Sequence, residues 1–452
     1  MDLNQMTIAQ LLDPKGFDCA CGCHHDTMLR HAVIQSGALA QLPEILQRLG
    51  AQKPFIVCDR NTYGAAGQRV EAMIGEMQLP YTLYCFPTDQ IIEPDEFAVG
   101  QVVFSYDPTC DLIVAVGGGV INDVCKILAK AVSRQTIIVG TAPSMDGFVS
   151  NSASMVWGGV KSTIYTPCPV AVIADIDIMR QAPMRMLQAG LGDMLAKYVS
   201  ICEWRISNVV NGEYYCPQIA ALMRSAVEKI VQAASGLAQR DPLAVQRVVE
   251  GLVLSGIAMS FARVSRPASG LEHYFSHIFD MYTLEHHTPG SLHGIQVGIG
   301  TVLTLGIYEK LICQRPDREK ALAHARDFDH VGWEAQMRRM FGKTAENVIE
   351  IERKAGKNDA VKHAGRLERI LETWPQLVQI MREELPSQEF VRDLLVSTGA
   401  PVTPAQIGID RSEVRDALMA SREIRDKYIA SSLLWDLGVL DEYADALVAE
   451  LA

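Results

Sequence analysis

The chain has 452 residues, a formal net charge of −12, and 48% hydrophobic against 21% charged residues. That length exceeds what one hydrophobic core usually serves, so two domains are expected, and the composition excludes a disordered chain. The acidic balance argues against a nucleic-acid partner, which would need a basic face to neutralise phosphates.

The opening MDLNQMTIAQLLDPKG has no basic stretch followed by an apolar one, and no uninterrupted apolar run of roughly eighteen residues occurs further on. A cytoplasmic protein without membrane insertion is expected. Eleven cysteines, an odd number without an export signal, fit reduced thiols better than a disulfide framework. Only Cys19, Cys21 and Cys23 cluster, in CACGCHH with His24 and His25. Their spacing is tighter than the paired cysteines of common zinc ribbons, and no second cysteine pair follows downstream. A reduced, partly exposed segment is therefore expected, with a structural metal as the alternative.

Up to about residue 180, short β-branched runs alternate with helical patterns. The runs are PFIVCD at 54–59, YTLYCF at 81–86, DLIVAVGGG at 111–119, TIIVGTAP at 136–143 and VAVIADIDI at 170–178. This alternation predicts βα units and a mostly parallel, Rossmann-like sheet, with ligands at the C-terminal ends of its strands. Asp59 ends the first of these runs, where a carboxylate can accept hydrogen bonds from a ribose or cap a helix. After LIVAV come Gly117, Gly118 and Gly119, then the helical pattern INDVCKILAKAV. A strand feeding a glycine turn at a helix N-terminus suits a pyrophosphate, although a tight turn without a ligand has the same look. The G-x-G-x-x-G fingerprint of ordinary Rossmann dehydrogenases is absent. The next strand runs into a polar loop carrying Thr141, Ser144, Asp146, Ser150, Asn151 and Ser152, a setting for a nicotinamide, a ribose or a small polyol. Asp146 followed by Gly147 fits a plain turn as well.

Beyond residue 180 the β-rich runs cease, dividing the chain into an α/β nucleotide-binding domain at 1–180 and an all-helical, metal-binding and catalytic domain at 181–452. Long helical segments are expected at 215–236, 241–263, 317–341, 344–355 and 411–450. RVVEGLVLSGIAMSFA is apolar nearly all round, as a buried central helix requires. In this half, Asp193 follows Gly190 and Gly192 at the start of a helical pattern, and His273 and His277 stand at i and i+4 on one helix face. His293 lies twenty residues after His273. Asp193, His273 and His293 have the right chemistry for a catalytic divalent metal with one position left open. Any one of these histidines could instead be a core residue bonded to a backbone carbonyl. Leaving EHYFSH unpaired on an apolar helix would, however, cost several kcal/mol.

The blocks VGGGVINDVCK, TAPSMDGFVSNSAS, GLGDMLAKYVSICEW, SGLEHYFSH and SLHGIQVGIGT, in this order, resemble the glycerol-1-phosphate dehydrogenase family. That family lies within the iron-containing alcohol dehydrogenase and dehydroquinate synthase superfamily, and REIRDKYIASSLLWDLGVL resembles its bacterial branch. The resemblance implies reversible NAD(P)H reduction of dihydroxyacetone phosphate to sn-glycerol 1-phosphate, a zinc or nickel ion, and a homodimer or larger assembly. It implies pyrophosphate contacts from Gly117, Gly118, Gly119, Val120 and Ile121, and further cofactor contacts from Thr141, Ala142, Pro143, Ser144 and Ser150. By the same resemblance Asp146 binds substrate, Asp193 serves both metal and substrate, His273 and His293 complete the metal ligands, and His277 contacts substrate. The phosphate-binding residues are not evident, with Lys161 and Lys197 as candidates, and the stretch 310–410 matches nothing assignable. A glycerol or other polyol dehydrogenase of the same superfamily, acting on an unphosphorylated substrate, is the alternative.

Overall fold

Six short runs rich in β-branched residues pair as one parallel sheet in the computed structural model, which describes residues 3–158, 160–286 and 288–451. These strands are β3 (His31–Gln35), β4 (Pro54–Asp59), β5 (Thr82–Phe86), β6 (Leu112–Gly117), β7 (Gln135–Gly140) and β10 (Ala171–Asp175). Their order across the sheet is β3-β10-β7-β6-β4-β5. Every position of β6 and β10 is buried, as expected where helices cover both faces of a parallel sheet. Helices α1 (Leu42–Arg48), α2 (Gln68–Glu76), α3 (Glu96–Ser105) and α4 (Gly119–Val132) lie between successive strands. From β4 the chain goes to β5 on one side and then to β6 on the other. The strand order therefore reverses between β4 and β6, which is where such sheets hold ligands.

All five strands expected from the sequence are present. Edge strand β3 was not anticipated, because HAVIQ is only half-buried and lacks a long apolar run. Two antiparallel hairpins were also not anticipated: β1 (Phe17–Asp18) with β2 (His24–His25), and β8 (Ser152–Trp157) with β9 (Val160–Tyr165). The polar loop expected after β7 is thus shorter than its composition suggested. In SASMVW only Ala153 and Met155 are buried, so its first four residues alternate small polar with buried apolar and its last two add no apolar inward position.

Contacts divide the chain into two units: Met1–Met194 with Cys216–Pro267 and Ser397–Gly399, and Leu195–Tyr215 with Ala268–Val396 and Ala400–Ala452. The change of pattern near 180 marks the end of the last strand at Asp175, whereas the packing division falls elsewhere. Helices α7 (Pro217–Ala233) and α8 (Pro242–Ala262) belong to the sheet-bearing unit. By length and composition α8 could cross a membrane. Here Val245, Val249, Leu252 and Ile257 are all buried, as a helix apolar on every side requires. Helix α5 (Met184–Leu195) ends at the first boundary between the units. A Cβ on its Gly190 would lie 2.0 Å from the carbonyl oxygen of Pro143, so only glycine lets α5 approach the loop after β7.

The second unit contains α6 (Lys197–Asn211), α9 (Leu271–Glu285), α10 (His293–Leu311) and further helices toward the C-terminus. The carboxylate of Glu203 is buried and accepts hydrogen bonds from the amides of Leu271 and Ala430 at 3.0 and 2.9 Å and from the Tyr308 hydroxyl at 3.2 Å. One side chain of α6 thereby ties together three other segments. The helix expected at 317–341 is two helices, Arg318–Arg326 and His330–Phe341, because the Asp329 carboxylate caps the amide of Gly332 and starts the second. The stretch 411–450 is three helices rather than one, with Gly438 in the left-handed region between the last two. Helix Ala360–Glu384 was not anticipated because Pro375 interrupts its pattern.

Gly190→Ala should lower the urea unfolding midpoint, at a cost of about 1–3 kcal/mol from overpacking against a backbone carbonyl. Gly365→Ala, where an added Cβ meets nothing within 4 Å, should be neutral or stabilising by up to ~1 kcal/mol. An unchanged midpoint for the first variant would contradict the close approach.

Candidate functional site

At the reversal of strand order, β6 delivers Gly117, Gly118 and Gly119 to the start of α4. Gly118 is the N-cap, in extended conformation, and no side chain caps the helix. The three glycines have different reasons to be glycine. A Cβ on Gly117 would lie 2.6 Å from Cβ of Ile121, and one on Gly119 would lie 2.7 Å from Cε of Met145. A Cβ on Gly118 would meet no described atom within 4 Å, so an anion could approach the backbone there, at the positive end of the helix dipole. Ile121 is buried and Val120 half-buried, which leaves their backbone as the part suited to a phosphate.

Next in the sheet, the amide of Thr141 donates to the Gly117 carbonyl at 3.1 Å, joining the loop after β7 to the glycine turn. Thr141, Ala142 and Pro143 are buried and Ser144 is half-buried. Asp59, at the end of β4, is a helix N-cap: its carboxylate accepts from the Thr62 amide at 2.7 Å, and the Thr62 hydroxyl accepts from the Asp59 amide at 2.9 Å. Asp59 thus fills the capping role that the sequence allowed it.

The loop is held from below by Lys126, which α4 buries completely. Its Nζ donates to the Ser150 hydroxyl at 3.0 Å, to the Ser152 carbonyl at 2.9 Å and to the Gly147 carbonyl. The Ser150 hydroxyl is thus engaged within the protein. Burial lowers the Lys126 pKa and raises that of neighbouring Asp123 to about 6, while the Asp123 carboxylate accepts from the Ser154 amide at 3.1 Å. Sequence reasoning gave Lys126 no part in the site. The available signal was a lysine on the apolar face of an otherwise core-forming helix.

Asp146 and Asp193 meet in the first unit. The Asp146 amide donates to Oδ2 of Asp193 at 2.8 Å, and the Asp146 carboxylate accepts from the Ser255 hydroxyl of α8 at 2.7 Å. Asp193 is fully buried and Asp146 nearly so. The Ser255 contact was not anticipated, since a serine within an apolar helix reads as packing.

The histidines gather in the second unit. The His273 and His293 ring centroids are 5.3 Å apart, and those of His277 and His293 are 6.2 Å apart. His273 Nδ1 lies 2.8 Å from the buried Glu272 carboxylate, which also accepts from the Gly270 amide at 2.7 Å. The carboxylate can only accept, so His273 carries its proton on Nδ1 and offers Nε2 as a lone pair. The Ser276 hydroxyl donates to Gln296 at 2.7 Å and so accepts from His293 Nδ1 at 3.1 Å, leaving Nε2 of His293 in the same state. Of the two lysine candidates, Lys197 is buried and donates to the Ala268 carbonyl at 3.2 Å, while Lys161 lies half-buried on β9.

Residues 33–183 match the family model described as iron-containing alcohol dehydrogenase. A glycerol-1-phosphate dehydrogenase [NAD(P)+] from Halalkalibacterium halodurans is 34% identical over 296 residues, covering 65% of this chain and 74% of that one. One from Bacillus licheniformis is 28% identical over 426 residues, covering 93% of each chain. Among solved structures, a glycerol dehydrogenase from Schizosaccharomyces pombe shares the fold, with a TM-score of 0.60 at 15% identity over 94% of this chain and 93% of that one. The chain belongs to the glycerol-1-phosphate dehydrogenase family of the iron-containing alcohol dehydrogenases.

Proposed function

We propose that the chain interconverts dihydroxyacetone phosphate and sn-glycerol 1-phosphate with NAD(P)H and one divalent metal ion, zinc or nickel. The observation that carries this is the state of the two imidazoles. His273 and His293 each have Nδ1 engaged by a neighbour, so each presents Nε2 as a ligand. The carboxylate of Asp193 is the third ligand in this proposal, and two imidazoles with one carboxylate are a donor set that suits a divalent ion. A metal held by these residues would supply Lewis acidity at the substrate's C2 oxygen, and the nicotinamide would supply or accept the hydride.

The chain's own residues do the rest. Asp146, oriented by Ser255, accepts hydrogen bonds from the substrate hydroxyls. His277, one turn beyond His273, takes or returns the proton of the C2 hydroxyl. Asp193 serves both the metal and the substrate. The backbone from Gly117 to Ile121 holds the cofactor pyrophosphate, and Thr141 to Ser144 and Ser150 border the remainder of the cofactor. Asp59 places negative charge at the end of β4, where a ribose 2′-phosphate would be repelled, so NADH should be preferred over NADPH. A cytoplasmic homodimer acting on a soluble phosphorylated triose completes the proposal.

His293→Ala should lose metal and turnover together while NADH binding, followed by fluorescence, stays within a few-fold of the parent. Full metal content with retained activity would remove His293 from the ligand set. Glu272→Gln should weaken metal affinity about 10–100-fold in a chelator competition, because it removes the charge that orients the His273 ring. The substrate assignment rests on NADH oxidation with dihydroxyacetone phosphate against dihydroxyacetone, with zinc and with nickel, followed by chiral analysis of the product. Turnover that requires the phosphate and yields sn-glycerol 1-phosphate is expected. Equal use of the free ketone would instead indicate a polyol dehydrogenase.

A further inference from the structure

A group of four side chains of metal-ligand type lies in the first unit, formed by Cys19, Cys21 and His25 near the N-terminus and Cys216 at the start of α7. The strand pair β1–β2 builds one half of it. Between the strands the Cys19 amide donates to the Cys23 carbonyl at 3.0 Å and the Gly22 amide to the Cys19 carbonyl at 2.9 Å. Gly22, at φ +86°, allows the chain to fold back so tightly. Strand alternation then separates the two histidines. His24 faces outward and pairs with Asp18 at 2.9 Å, whereas His25 is fully buried.

The other half comes from the two long helices. Cys216 is the N-cap of α7 and is fully buried. Phe261, at the C-terminal end of α8, accepts a hydrogen bond from His25 through its backbone carbonyl at 3.0 Å. A carbonyl can only accept, so the His25 proton sits on Nδ1 and Nε2 carries the lone pair. That atom lies 3.5 Å from Sγ of Cys21 and 3.6 Å from Sγ of Cys216, while the sulfurs of Cys19 and Cys216 are 3.7 Å apart. All four donor atoms lie within 4.8 Å of one another.

These spacings decide between the chemistries open to such a cluster. A disulfide between Cys19 and Cys216 would need sulfurs about 2.0 Å apart. A tetrahedral zinc ion, with bonds of about 2.3 Å to sulfur and about 2.0–2.1 Å to nitrogen, places two sulfurs about 3.8 Å apart and a sulfur and a nitrogen about 3.5–3.6 Å apart. The three separations in the structure match edges of that tetrahedron. We propose that Cys19, Cys21, His25 and Cys216 bind a structural zinc ion, separate from the catalytic metal, which fastens the N-terminal segment to the start of α7 and the end of α8. Four protein ligands leave no open position, as is usual for structural rather than catalytic zinc. Three thiolates and one imidazole favour zinc over magnesium, calcium or manganese. The ion would close a loop spanning 197 positions of sequence, which gives the N-terminal residues a covalent-strength tie that their short strands do not supply.

The test uses the full chain loaded with zinc, with metal counted by plasma mass spectrometry. The parent should hold one equivalent more than the catalytic site accounts for. Cys216→Ser and Cys19→Ser should each lose one equivalent and melt at lower temperature, and Cys23→Ser should lose none. His293→Ala should lose only the other equivalent. Cobalt loading reads the site in the parent with its four ligands intact: a thiolate-to-cobalt charge-transfer band should appear there and persist in His293→Ala. Absence of that band, or a parent chain whose whole metal content vanishes in His293→Ala, would overturn the proposal. So would an intact Cys19–Cys216 disulfide in protein purified without oxidant.

Discussion

The arrangement of the loop after β7 depends on one hydrogen bond, from the backbone amide of Asp146 to the buried carboxylate of Asp193. A buried carboxylate without partners would be costly, and here part of that cost is met by an amide from the loop after β7. The bond positions two things at once: the carboxylate on α5, and the loop from which the Asp146 side chain turns toward Ser255. Gly190 permits it by letting α5 approach Pro143, and Lys126 supports the far side of the loop through the carbonyls of Gly147 and Ser152. The Asp193 carboxylate and the loop that carries Asp146 therefore stand on a framework of hydrogen bonds to backbone groups, which rotates less freely than one made of side chains.

On the second unit the same economy acts through imidazole. A histidine ligand is useful only in the tautomer that leaves the metal-facing nitrogen unprotonated, and the protein selects that tautomer with the hydrogen bond it makes to the other nitrogen. Glu272 does this for His273 and Ser276, itself oriented by Gln296, does it for His293. His25 follows the same rule with a backbone carbonyl in place of a side chain. A carboxylate partner raises the basicity of the ring, whereas a carbonyl only orients it.

The parallel sheet was legible in the sequence because buried strands are written as continuous β-branched runs, and the glycine turn because it follows one of them. The hairpins were not, since a strand with only two inward residues, such as SASMVW, carries little of that pattern. Helix breaks at Asp329 and Gly438 were missed for a related reason: amphipathic spacing survives a short interruption, and only the cap reveals it. Asp146, Asp193, His273, His277 and His293 were all identified as candidates, yet their supports Lys126, Ser255 and Ser276 were not. A lysine or serine inside an apolar helix has no meaning until the backbone groups it reaches are known.

The cysteine cluster shows the same limit. CACGCHH contains three thiols and two histidines, but only Cys19, Cys21 and His25 of these join the cluster, so spacing alone suggested no complete site. The missing donor lies nearly two hundred residues away, on a cysteine with no other Cys or His in its own segment. Only the fold brings Cys216 to His25, because α7 and α8 pack beside the sheet rather than with the later helices. A pattern break that separates strands from helices is therefore a poor guide to which elements share a core. Where a single ligand is supplied by a distant helix, the metal itself reports that packing, since it cannot bind until the helix has docked.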